Sequence, residues 1–243
     1  MLMDDYAWEL TSRINEIRMT QRESILQAAG FVRDTVKADG LVYVFGCGHS
    51  HMLGEEGFYR AGGLACVCPM LFEPLMLQEG AVRSSTLEKQ DGLYAQVLSH
   101  YGLTASDMLI CVSTSGVNSV PVELASAVTA MGIPTVGISS WEYLNQEAHN
   151  PLHAHLKDVC RVSIDNRAPY GDACLQPEGL EMKAIPASTV LSVYAMNSLF
   201  AEAIALMHGE GIEAPLYVSG NIHGGREKNR RLIEKYSPRI RHL

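Results

Sequence analysis

Between Gly46 and Arg60 the sequence reads G-C-G-H-S-H-M-L-G-E-E-G-F-Y-R, a stretch dense in the residue types used for acid–base work. His51 and Glu55 are four apart and share one face of a helix, and Glu56 and Arg60 share another. Removing a proton next to a carbonyl, and moving protons between two sugar oxygens, calls for a carboxylate and an imidazole. Glu55 is therefore the first candidate base, with His51 beside it. Glu56 is a further candidate, although Glu56 and Arg60 read equally well as an exposed ion pair. His49 and His51 form H-x-H, but neither an H-E-x-x-H pattern nor a cysteine set accompanies them, so no metal or other cofactor is expected. The H-A-H at His153–His155 reads as surface loop.

A second stretch, V-S-T-S-G-V-N-S from Val112 to Ser119, offers three hydroxyls at the end of an apolar run. Gly116 lets the backbone turn sharply, and the helix expected next presents free N–H groups and a dipole that favour an anion. Hydroxyls and amides together make a phosphate site without a basic residue, although the same serines also suit a plain helix cap. In the first stretch Gly46 and Gly48 permit close backbone approach, and Ser50 falls at the start of the next helix. No G-K-[ST] follows, so it is not a P-loop, and its third glycine is out of register for a dinucleotide fingerprint. One turn of helix beyond such a loop is about 5 Å, within a small sugar's reach.

The elements that must position these residues alternate. Residues 5–38 read as helix with room for a break, from the spacing of Ile14, Ile17, Ile25, Ala28, Phe31 and Val32. Apolar, strand-like runs stand at L-V-Y-V-F, L-A-C-V-C-P-M, D-M-L-I-C-V, I-P-T-V-G-I-S-S and D-V-C-R-V-S-I-D. Helical patterns lie between them, including S-T-L-E-K-Q-D-G-L-Y-A-Q-V-L-S-H-Y-G from Ser85 and S-V-P-V-E-L-A-S-A-V-T-A-M-G from Ser119. Ser188 is expected to cap a long apolar helix that runs to about Met207, and it is a further binding candidate. Continuous apolar strands alternating with helices predict a doubly wound α/β fold, with a parallel sheet covered on both faces. Ligands then bind beyond the carboxyl ends of the strands, where both loops sit. The expected division is a helical segment over 1–40, a main domain over 41–210 and a basic tail over 211–243. Residues 166–186, rich in Gly and Pro, read as a loop insertion.

The 243 residues are 47% hydrophobic and 19% charged, the composition of an ordered globular protein, with net charge −8. That balance argues against nucleic-acid binding. The tail from Gly224 is the exception, with seven Lys/Arg against two Glu. It reads as a helix docked on an acidic body, or as a means for Arg226 or Lys228 to reach over an active site, its own or that of another subunit. Six cysteines without a C-x-x-C pair suggest reduced thiols and a cytoplasmic location. The apolar stretch from Ala187 to Met207 is long enough to span a bilayer, but it holds Asn197, Glu202 and three serines, which favours a buried or interface helix.

The pairing of strand–GCGHS–helix with strand–STSG–helix about 65 residues later resembles the sugar isomerase (SIS) domain family. The stretches GCGHSHMLGEEGFYRAGG, IDNRAPYGDA and SGNIHGGREKNRRLIEKYSPRI are similar to a bacterial subgroup of that family described as phosphoheptose isomerases. The resemblance implies a flavodoxin-like five-stranded parallel sheet, a homodimer and a phosphosugar ligand. It implies that Ser50, Ser113 and Ser115 hold the phosphate while Thr114 and Gly116 shape the loop. Where the family often continues with Glu-Thr, this chain has Val117 and Asn118, and Asn118 still donates a hydrogen bond. The family's isomerases and etherases carry an acidic residue where Arg60 falls, so their mechanism does not transfer unchanged. E-G-A at 79–81 resembles a catalytic stretch of the etherases and makes Glu79 a candidate, with a surface carboxylate as its plain reading. The expected activity is aldose–ketose isomerisation of a sugar phosphate, the alternatives being an etherase and a phosphosugar sensor.

Overall fold

The computed structural model describes residues 1–243. The strands are β1 (Val42–Gly46), β2 (Val67–Pro69), β3 (Met108–Val112), β4 (Thr135–Ser139) and β5 (Val162–Asp165), with a separate hairpin of β6 (Ala173–Leu175) and β7 (Ala184–Pro186). The helices are α1 (Leu2–Thr20), α2 (Arg22–Lys37), α3 (Met52–Gly57), α4 (Ala81–Leu87), α5 (Tyr94–His100), α6 (Ser119–Ala130), α7 (Leu156–Val159), α8 (Ser188–Gly209) and α9 (Gly225–Tyr236). β1 to β5 form one parallel sheet in the order β2-β1-β3-β4-β5. That is the flavodoxin-like order, whose direction reverses between β1 and β3. All residues of β1, β3 and β4 are buried, as their unbroken apolar runs require in a sheet covered on both faces.

On one face α2 packs against α8, and α3 lies against β1, β2 and α8; α6 and α7 cover the other. The long helical pattern at the start breaks at Gln21, which is 3% exposed. Its side-chain oxygen accepts the N–H of Asp165 at 3.0 Å, so the break ties the helix pair to the end of β5. α8 is long and apolar enough to cross a membrane by composition alone. Here Leu191, Ala195, Leu199, Ala203 and Met207 are fully buried in the same core as the sheet. The basic tail reaches that core through Tyr236 and Ile240, and Arg239 holds buried Asp107 through two bonds of 2.7 and 2.8 Å.

Three local expectations are corrected. The helix expected from Ser85 to Gly102 is two short ones, because Gly92 takes φ +76 and its N–H goes to Glu123 at 2.9 Å. The insertion 166–186 holds the β6–β7 hairpin. Ser188 is not the cap of α8: the Asp172 carboxylate accepts the N–H groups of Ala187 and Ser188 and the Ser188 hydroxyl, at 2.7–3.1 Å. An acidic group at that end also suits the helix dipole.

Candidate functional site

The last residues of β1 and β3, Gly46 and Val112, are register partners, so the two loops leave the sheet side by side at the point where strand order reverses. Between them lies a cleft of about 340 Å³. It gathers Gly48, Ser50, Ser113, Thr114, Ser115, Asn118 and Ser188, seven of the eight residues proposed to bind substrate. Gly116, the eighth, adopts φ +64 and turns the loop, and its N–H donates to the Ser113 hydroxyl at 3.2 Å. The Ser113 hydroxyl accepts that bond and keeps its own O–H to donate. Thr114 and Ser115 are half-exposed, and their backbone N–H groups have no partner within the chain. No Lys or Arg lines the cleft. Such a set of neutral donors at a helix start can hold an anion.

The first loop is tighter. Gly48–His51 form a 3-10 turn ahead of the six-residue α3. A Cβ at Gly46 would meet the Ser50 backbone at 2.5 Å, so no other residue fits there. His51 is buried, with Nδ1 against the Gly48 carbonyl and Nε2 3.5 Å from Glu55. This turn determines where the proposed catalytic residues go. None of His51, Glu55, Glu56 or Glu79 lines the cleft. Glu55 is exposed, Glu56 pairs with Arg60 and accepts from Asn197, and Glu79 is exposed in a separate short turn. The i,i+4 pairing of His51 and Glu55 is present, but the tight turn points the pair away from the cleft, with His51 buried and Glu55 exposed.

The cleft holds two carboxylates that the residue patterns did not single out, Glu88 and Asp172. Asp172 is engaged by the start of α8. Glu88 caps the carboxyl end of α4, where the expected long helix breaks. It accepts from Asn118 Nδ2 at 3.0 Å, and burial raises its pKa above the usual carboxylate range, against the lowering effect of that hydrogen bond. The visible signal was Asp-Gly at 91–92, a turn former inside a helical pattern. His49 is exposed at the cleft mouth, and Tyr143 lines another wall. Cys47 also lines it, but burial raises its thiol well above the ordinary range, so it presents neutral S–H. Arg226 and Lys228 do not reach this cleft. No group of three or more His, Cys, Asp and Glu side chains is placed to hold a metal ion.

The SIS domain profile matches residues 5–140. The chain belongs to the SIS domain family. A UPF0309 protein of Geobacillus kaustophilus is 40% identical over 240 residues, covering 98% of this chain and 96% of that protein. One from Caldanaerobacter subterraneus is 42% identical over 246 residues, with both chains covered in full. Among solved structures, the Vibrio vulnificus NanR protein complexed with ManNAc-6P shares the fold at TM-score 0.50 and 13% identity, covering 98% of this chain and 69% of that one. The five-stranded SIS architecture accounts for the position of both loops at one end of the sheet.

Proposed function

We propose that this SIS-domain cleft binds a phosphosugar and that Glu88 removes the proton next to its carbonyl, as an aldose–ketose isomerase requires. The observation that carries this reading is the shared cleft: neutral anion donors at Thr114–Ser115 and a half-buried carboxylate, Glu88, with raised pKa. The phosphate sits on the Thr114 and Ser115 hydroxyls and amides, with Ser50 on the opposing loop. A raised pKa makes the ionised form of Glu88 a stronger base. Glu88 takes a proton from the α-carbon to give an enediol and delivers one to the neighbouring carbon; the half-buried carboxyl exchanges its proton with solvent between the two transfers, and one proton removed is balanced by one delivered. His49, at the mouth, passes the proton between the two oxygens.

The test is exchange of the sugar's α-hydrogen in deuterated water across hexose, heptose and N-acetylamino-sugar phosphates, with calorimetry alongside. Exchange with at least one sugar phosphate is expected. Tight binding without exchange across the panel replaces the isomerase with a sensor. A homodimer belongs to this reading: Met19, Ile25 and Leu26 of the first two helices meet Tyr194 of α8 along an open groove of about 400 Å³. Light scattering that gives a monomer at micromolar concentration removes it.

A further inference from the structure

A second cavity, of about 560 Å³, shares no lining residue with the cleft. It lies between the segment after α3 and the C-terminal region, and Tyr59, Arg60, Tyr217, Arg226, Asn229 and Arg230 form its wall. Both sides are fixed to each other and to the body. The Gly62 N–H donates to Tyr217 O at 2.8 Å, and the Tyr217 N–H donates to Gly63 O at 3.0 Å. Asn229 clamps Val218 at both its N–H and its carbonyl, at 3.0 and 2.7 Å. A cavity built this way exists before any ligand arrives, which lowers the ordering cost of binding. Its volume is within the ordinary range for small-molecule sites.

Its chemistry is specific in two respects. Arg60 is held by Glu56, and Arg230 by Glu227 and Glu234, but Arg226 makes no ion pair and is exposed. A free guanidinium at a cavity wall suits a phosphate. Tyr59 takes φ +43, a left-handed conformation that a bulky residue rarely adopts, and the residue is 54% exposed. Strain of this kind persists where the surroundings enforce it. The ring packs edge-to-face on Tyr217 at 5.1 Å, which steadies it for stacking. Tyr217 itself is buried, and its hydroxyl has no partner.

We propose that this cavity is a second ligand site for a small molecule carrying a planar ring and a phosphate, the chemistry of a nucleoside monophosphate. The ring stacks on Tyr59, the phosphate pairs with Arg226, and Asn229 and Ser219 border the sugar between them. The inference is independent of what the cleft binds. The experiment is calorimetric titration of the full chain with AMP at low ionic strength, where charge pairing is least screened. Saturable binding is expected, weakened at least tenfold by Arg226→Ala and by Tyr59→Asn, and unchanged by Ser115→Ala. Both positions are exposed, and asparagine tolerates the left-handed backbone that tyrosine strains, so folding is retained. Absence of binding at millimolar AMP overturns the proposal. So does affinity that survives both substitutions, and so does affinity lost with Ser115→Ala, which places the nucleotide in the cleft.

Discussion

After β1 the chain passes Cys47, forms a 3-10 turn at Gly48–His51 and makes only the six-residue α3; after β3 it turns through Ser113–Asn118 and makes the twelve-residue α6. Both loops are small-residue turns with glycines at positive φ, Gly48 at +55 and Gly116 at +64. They supply different things. The first closes on itself, with His51 against Gly48 and the Ser50 N–H bonded to the Cys47 carbonyl. The second leaves two backbone donors free at the head of a longer helix and holds Glu88 through Asn118. Serine and glycine content therefore does not distinguish a surface that binds an anion from a floor that shapes a cleft. What distinguishes them is the helix that follows, six residues after the first and twelve after the second, and the side chain at its head, Asn118, which holds Glu88 in the cleft.

The contrast is sharpest at the carboxylates. Glu88→Gln is expected to slow α-hydrogen exchange by about 10²–10⁴, the usual worth of a general base, with phosphosugar affinity within about 1 kcal/mol of wild type. Retained exchange would move catalysis to the first loop. The acid limb of kcat/KM should lie above the ordinary carboxylate range, because the Glu88 pKa is raised by burial. The same shift has a stability sign. The folded state holds the Glu88 proton to higher pH than the unfolded chain, so the contribution is largest at low pH and falls as pH rises through the raised pKa. Thermal melts should show that fall in wild type and lack it in Glu88→Gln.

Gly46→Ala comes next. Its Cβ would press on the Ser50 backbone at 2.5 Å, which has no flexible side chain to give way, and a loss of about 3 kcal/mol in denaturant unfolding is expected. Gly48→Ala meets only Leu77, at 4.0 Å, and should cost about 1–2 kcal/mol for its left-handed φ. Ser115→Ala should weaken phosphosugar binding by about 1–3 kcal/mol by calorimetry, and Ser50→Ala by less than about 1 kcal/mol. Equal losses would mean that the two loops share the phosphate evenly. The smallest expected effect is Glu55→Gln, exposed and outside the cleft: exchange should change by less than about twofold, well below the worth of a general base.

The sheet and both loops were legible because strand burial leaves an unambiguous record. β1 and β3 are five-residue apolar runs, and each ends in small residues. The spacing of His51 and Glu55 does bring the two together, at 3.5 Å, but spacing does not say which way that face points, and the 3-10 turn at Gly48–His51 turns it from the cleft. Glu88 was hidden for the opposite reason. Its importance comes from a break between α4 and α5, where the contacts are tertiary: Gly92 to Glu123, and Asn118 to Glu88 itself. Asp172 was hidden similarly, since it acts sixteen positions away, on the start of α8.

The Asp107–Arg239 pair sets a timetable for folding. Asp107 precedes β3 and is 1% exposed; it accepts the Leu41 N–H at 2.7 Å and the Thr104 N–H at 2.6 Å, and receives Arg239 from 132 positions later. During synthesis the strands of the central sheet leave the ribosome long before Arg239 exists. Until then the floor of the sheet contains a carboxylate with no counter-charge, and the nascent domain must leave that corner open to water. The sheet can align early, but its sealed form waits for the segment that carries Arg239.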